Sequence, residues 1–396
     1  MKNIFAYIQG DKVLWAIAGL LALFSFIPVY SASSNLAYLY GNGDTFKYLL
    51  KHCVHLILGF SILYGVHRIP YNYFKGLSII MLPVALLLLL ITLAQGTTIE
   101  GANASRWIKI PIVGITFQTS TLASVVILSF VARYFAKVCG TKYTFKETIL
   151  PLWIPVLLII AFILPANFST AAIIFCMVTI LVFIGGYPLK YLTVIFASGA
   201  LLLTLFILSA KAFPNAFPNR VDTWISRIEN FTSNEDNKEE YQIERAKIAI
   251  VTGGTLGKGP GKSVQRNFLP QSSSDFIYAI IVEEFGLVGA LIILFFYLML
   301  LFRIIIISHK ATDIFGKLLA LGIGLPIVFQ ALINMAVAVE LFPVTGQTLP
   351  LISSGGSSIW MTCLALGIVI SVSAKTQAVE KENEELNPLD ILSETI

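Results

Sequence analysis

Hydrophobic residues in this chain come in unbroken runs, separated by short polar intervals, rather than in the strict alternation of a membrane barrel. Crossing ~30 Å of hydrocarbon takes about 20 apolar residues at the helical rise. Ten runs meet or approach that length: Val13 to Ser31, Leu49 to Val66, Leu77 to Leu93, Phe117 to Phe135, Leu150 to Leu164, Ser169 to Ile184, Leu192 to Ala210, Phe276 to Phe302, Lys317 to Val339 and Ser357 to Val372. The fifth and sixth are short, and Pro165-Ala-Asn-Phe168 between them predicts a tight extracytoplasmic turn or a partly broken pair rather than one long helix. The expectation is an all-α polytopic membrane protein with ten transmembrane helices and a large extracytoplasmic loop, 211–275, between helices 7 and 8.

The polar intervals are unequal. Residues 101–124 carry Gly, Asn and Pro ahead of the fourth run and read as a loop. Within 211–275, the stretch 234–240 is strongly polar, whereas Tyr241 to Val251 spaces its apolar residues as a short amphipathic helix at a membrane surface. Residues 334–358 hold Pro343, Gly346, Pro350, Gly355 and Gly356 between two runs. Irregular backbone at membrane depth is tolerated when packed in protein or lining a wet cavity. The chain after Ala374 is rich in Glu and Asn and is expected to be a disordered cytoplasmic tail, 375–396, beyond a single domain of 1–374.

Composition agrees: with 57% hydrophobic and 12% charged residues and a mean hydropathy of +0.82, a soluble domain is excluded. Cations such as Arg68, Lys75, Arg133, Lys137, Arg303 and Lys310 fall on one set of loops, while the opposite short loops carry only Lys47, Lys51, Arg106 and Lys109. The positive-inside rule then places both termini in the cytoplasm. The net charge of +5 is thereby used in topology, and nucleic-acid binding gains no support. Four cysteines without paired spacing indicate neither disulfides nor zinc. The first run, with no cleavage pattern after it, reads as a retained helix.

Chemistry concentrates in 253–286, where a glycine-rich polar loop and Asp275 stand directly before an apolar run. A carboxylate where water meets hydrocarbon is costly, which makes Asp275 a functional candidate and a general base if cations surround it. The competing reading is a helix cap supplied by Ser273, Ser274 or Asp275. Lys258, Lys262 and Arg266 flank Gly257, Gly259 and Gly261, a combination suited to phosphate or pyrophosphate. A nucleotide P-loop is excluded because Leu256 stands where its first glycine belongs. Glu283 and Glu284 lie about 12 to 14 Å further along a helix and need protein, water or a proton as partner, with Arg106 and Lys109 as possible counter-ions. Asn334 and Gln330, one turn apart, are expected to hydrogen-bond between helices. Glu340 is a loop-end carboxylate or part of the cavity. The histidines His52, His55 and His67 have no metal spacing.

These residues resemble the SEDS family (shape, elongation, division and sporulation), nearest its division branch. The likeness rests on Tyr30-Ser-Ala32, Arg106-Trp-Ile108, the SDF and EEFG elements of 253–286, and PVTGQTLPLISSGGSS from Pro343 to Ser358. It implies a ten-helix glycosyltransferase of the bacterial inner membrane, at the division septum, that polymerises lipid II into glycan strands and releases undecaprenyl pyrophosphate. Its implied partners are a class B penicillin-binding protein and other division proteins. It places the catalytic acid on Asp275 and a conserved arginine on Arg106; beside Arg106, the expected substrate contacts are Lys258, Lys262, Arg266, Gln271, Ser274, Glu283, Thr345 and Ser354. A divalent cation, Mg or Mn, bound at Asp275 is an expected cofactor; a nucleotide is not. Two elements depart from the family pattern. Thr121 and Ser124 stand for a glutamate and a lysine, and Asn167 for the aspartate of a PD-x-GT element. These changes remove charge and leave more weight on Asp275 and the loop cations. A lipid II flippase and a non-catalytic division scaffold are the alternatives. The flippase needs access from both faces, whereas the polar residues cluster at one.

Overall fold

The computed structural model describes residues 8–40, 44–95, 106–109, 116–141, 143–212, 238–269 and 272–385. Its helices are α1 (Lys12–Tyr40), α2 (Thr45–Val66), α3 (Tyr73–Gln95), α4 (Thr119–Val138), α5 (Phe145–Ile163), α6 (Phe168–Ile184), α7 (Leu189–Ala212), α8 (Lys238–Gly253), α9 (Ile277–Lys310), α10 (Ile314–Ala338) and α11 (Gly356–Glu385). Among the described residues eight of these are long and apolar enough to cross a membrane: α1 to α5 and α9 to α11. α6 and the Leu189–Leu201 part of α7 are shorter apolar helices. Each lies on one of the runs expected from the sequence, and the chain is a multi-pass helical membrane protein.

α10 packs against α4, α6, α9 and α11, and α11 makes its largest interface with α2. Burial grades accordingly: 72% of the apolar window of α11 is enclosed by protein against 22% for α3, which leaves α3 facing lipid. Without a hydrophobic drive between helices in lipid, close approach needs small residues. Gly59 of α2 meets Cys363 and Ile359 of α11, and Gly367 of α11 meets Val66 and the Leu63 carbonyl of α2.

Three features depart from the sequence expectation. Part of the interval ahead of α4 is a two-stranded antiparallel ribbon, with β1 (Trp107–Lys109) paired to β2 (Thr116–Gln118), so the fold is not purely α. α11 continues to Glu385, past the point where a disordered tail was expected. Residues 375–385 include the helix formers Lys, Gln, Ala and Glu, and Lys310 of α9 pairs with Glu380 at 3.3 Å. The rest of the expected tail lies outside the described residues. Third, α9 is broken at Gly286, whose φ of 67° and ψ of −167° are not helical.

That break has a backbone cause. In an unbroken helix the Leu287 and Val288 N–H groups would donate to the Glu283 and Glu284 carbonyls. Instead they donate to the Gly254 and Thr255 carbonyls at 2.9 and 3.2 Å, while the Lys258 and Gly259 N–H groups donate to the carbonyls of Glu283 and Glu284 at 3.0 and 2.9 Å. The loop 254–259 thus satisfies every main-chain group that the break releases, which buried backbone requires. A side chain on Gly257 would collide with the Glu284 carbonyl, and one on Gly286 with Thr255. Of the three glycines expected to cradle an anion, Gly257 serves here to let two backbones touch.

At the opposite end of the bundle, Asp313 caps α10 by accepting from the Gly316 N–H at 2.9 Å, and it binds the Tyr71 hydroxyl at 2.6 Å and the Lys75 ammonium at 3.1 Å. Asp11 pairs there with Arg303.

Candidate active site

Asp275 sits in the turn that leads into α9 and is half-buried. Phe276, not Asp275, occupies the N-cap position of α9. Three successive main-chain carbonyls of the turn are held from elsewhere. The Ser354 N–H donates to the Ser273 carbonyl at 2.8 Å, the Ser353 hydroxyl to the Ser274 carbonyl at 2.6 Å, and the Asn334 amide to the Asp275 carbonyl at 2.7 Å. A fourth bond, from the Ser272 hydroxyl to the Ala32 carbonyl at 3.2 Å, ties the turn to α1. The backbone carrying Asp275 is therefore fixed by α1, α10 and the segment before α11.

Gly346 defines where the carboxylate points. Its φ of 66° suits glycine, and the spot a Cβ would occupy lies 3.5 Å from both Asp275 Oδ2 and Arg106 Nη1. An acid and a cation from distant parts of the sequence thus converge over a residue without a side chain. Arg106 is itself anchored, its Nε donating to the Ala166 carbonyl at 3.0 Å in the turn between α5 and α6. The neighbouring Asn167 caps α6 by accepting from the Thr170 N–H at 3.2 Å, a role open to the aspartate it replaces. Arg106 also borders a narrow cleft with room for about one water, walled by Leu89, Leu93, Phe162 and Ile163, with Thr92, Thr119, Ser120, Ala166 and Asn167 completing the lining.

The remaining expected contacts divide. Thr345 and Ser354 are half-buried on either side of the Gly346 to Ser353 stretch, and Ser274 is half-buried beside Asp275. Gln271 lies outside the described residues. Lys262 is exposed on the glycine loop. Lys258, Arg266 and Glu283 form a second group, a clamp. The wholly buried Glu283 carboxylate accepts from the Lys258 ammonium at 2.7 Å, the Ser263 hydroxyl at 2.5 Å, and the Val264 and Gln265 N–H groups at 3.1 and 3.2 Å. Glu284, equally buried, binds the hydroxyl of Ser31, which also receives Arg266 at 2.8 Å. The counter-ion of Glu283 is Lys258 rather than Arg106 or Lys109, because the loop folds back onto its own helix.

Sequence reasoning missed how Asn334 works. Buried to 1% exposure, it bonds not to a neighbouring helix but to the carbonyls of Asp275 and Gln347, both at 2.7 Å. Gln330 likewise reaches the Thr348 carbonyl at 2.8 Å. The signal was a pair of amides in an apolar run just ahead of irregular backbone. Glu340 is an exposed loop-end carboxylate, paired with Lys247 of α8 at 2.6 Å. Among the described residues no three of His, Cys, Asp or Glu come together as a metal cage.

Comparison with known proteins places this geometry. A "Probable peptidoglycan glycosyltransferase FtsW" of Hydrogenovibrio crunogenus is 31% identical over 375 residues, 93% of each chain. Two solved structures share the fold. One is a chain of a peptidoglycan synthase complex coordinating polymerization and crosslinking, with TM-score 0.70, 23% identity, and 93% and 98% of the two chains covered. The other is the rod shape determining protein RodA of Thermus thermophilus, with TM-score 0.65, 23% identity, and 92% and 96% covered. The sequence profile that unites FtsW, RodA and SpoVE, described as cell cycle protein, runs through residues 11–378, and to that family this chain belongs.

Proposed function

We propose that the chain is a peptidoglycan glycosyltransferase that polymerises lipid II, with Asp275 as its general base. The observation that carries this is the convergence of the Asp275 carboxylate and the Arg106 guanidinium on Gly346. The carboxylate takes the proton of the 4-hydroxyl on one lipid-linked disaccharide as that oxygen attacks the anomeric carbon of the growing strand. The new carbon–oxygen bond forms as the bond to pyrophosphate breaks, and undecaprenyl pyrophosphate departs with the electron pair. One displacement inverts an α-linked donor into a β-linked glycan. Arg106 answers the charge that gathers on the leaving pyrophosphate, the largest kind of catalytic contribution in such sites.

Of the loop cations, Lys262 remains exposed to a substrate, while Lys258 and Arg266 hold the loop. A divalent cation, if the reaction uses one, would share Asp275 with the substrate. In this reading the ten apolar helices all cross the inner membrane, both termini are cytoplasmic, and the site opens outward at the septum. A class B penicillin-binding protein is the partner.

The test is polymer formation from lipid II by the full-length protein with that partner, with lipid II translocation followed in parallel. Asp275→Asn is expected to insert normally and make no polymer. Wild-type polymer from the correctly inserted variant overturns the assignment, and translocation without polymerisation by the wild type favours a flippase.

A further inference from the structure

Asp275 contributes one carboxylate, and its direction is set by the backbone beneath it. The bonds to Ser273 and Ser274 come from a single segment, residues 353–354, in which the Ser353 hydroxyl also accepts from the Leu349 N–H at 2.7 Å. Asn334 differs, because its two amide hydrogens go to two separate pieces of the site. One reaches the Asp275 carbonyl and the other the Gln347 carbonyl, next to Gly346. It therefore fixes the distance between the residue that carries the acid and the residue over which acid and Arg106 meet. The amide is enclosed at 1% exposure, so water cannot readily replace it.

We infer that Asn334 is a positioning residue, holding Asp275 at its working distance from Arg106 across Gly346 without touching substrate. The inference rests on Asp275 being the base. Gln330 supplies the internal comparison. It lies one turn earlier on α10, and its amide also staples the helix to the 343–355 segment through the Thr348 carbonyl and hydroxyl, at 2.8 and 3.2 Å, without reaching the Asp275 turn. A merely architectural role predicts similar consequences for both amides. A positioning role predicts that only Asn334 governs turnover, since a displacement of about 1 Å at a reacting group costs on the order of 100-fold in rate.

The experiment compares Asn334→Ala, Asn334→Ser, Gln330→Ala and Asp275→Asn in the full-length protein with its class B penicillin-binding protein, at varied lipid II concentration. Asn334→Ala is expected to lower kcat about 100-fold with KM changed less than about threefold. Asn334→Ser, which keeps one donor, falls between it and wild type, and Gln330→Ala stays within about threefold of wild type in kcat. Equal losses in Asn334→Ala and Gln330→Ala, a change confined to KM, or failure of both Asn334 variants to insert as monodisperse protein overturns the positioning role. Asp275→Asn separates the two levels. If it polymerises normally, the base assignment falls; if it is inactive while Asn334→Ala turns over normally, only the inference about Asn334 falls.

Discussion

Lys258 reaches Glu283 across 2.7 Å, joining a partly exposed ammonium to a carboxylate that solvent does not touch. Removing only the cation leaves a buried charge unpaired, which costs on the order of 3 kcal/mol, whereas removing both charges together costs less. Lys258→Met is therefore expected to melt well below wild type in detergent, and Lys258→Met combined with Glu283→Gln to recover part of the loss. Additive losses in this double-mutant cycle would show that the two side chains do not act as a pair.

Gly257 tests the docking of the loop on the broken helix. A Cβ there meets the backbone of Glu284 and Gly286, which cannot swing aside as a long side chain could. Gly257→Ala is expected to lose at least about 3 kcal/mol, seen as poor accumulation or an early melting transition. Gly261, also at positive φ but with open space around it, should lose only about 1 kcal/mol on the same substitution.

Arg106 combines charge with a directional bond to the Ala166 carbonyl. Arg106→Lys preserves the charge but loses the planar fork that holds it in place. We expect kcat to fall by roughly 10- to 100-fold with membrane insertion unchanged, measured by strand length and rate from lipid II. An unaltered rate would mean that a point charge suffices at this position.

Asp313 gives a pH dependence remote from catalysis. Burial alone would raise its pKa, but the Tyr71 hydroxyl, the Gly316 N–H and Lys75 together hold it below its ordinary 3.8. Burial, and next the bond to Asp313, push the Tyr71 phenol up to about 12. A carboxylate depressed in the folded state stabilises above its unfolded pKa and loses that contribution as pH falls through the folded value. Asp313→Asn should accordingly lower the melting temperature at pH 7 and narrow the gap from wild type below pH ~3. A gap that stays constant across that range would contradict the assignment.

Apolar run length made the bundle legible, because a helix in lipid must satisfy its own backbone and little else decides its limits. The turn at Pro165 to Phe168 and the helix around Tyr241 were readable for the same local reasons. Asp275 and Arg106 were found as residues, one by its position and the other by family likeness. Their meeting over Gly346 was not, since it depends on three segments far apart in sequence. The break at Gly286 escaped notice because one glycine in an apolar run is ordinarily tolerated, and only the docked loop turns it into a bend. The pairing of Lys258 with Glu283 was not legible for a related reason: spacing along a chain does not reveal a loop folded back on its own helix.

The exchange of main-chain partners around Gly286 makes chain length itself a constraint. Between Gly254 and Gly259 four residues, Gly254, Thr255, Lys258 and Gly259, are registered against fixed points on α9, so one inserted or deleted there puts every later bond out of step and turns the outer stub of the helix, together with the acid just ahead of it. Sequence drift in this strip is confined to substitutions that preserve its count, even where the side chains themselves face outward.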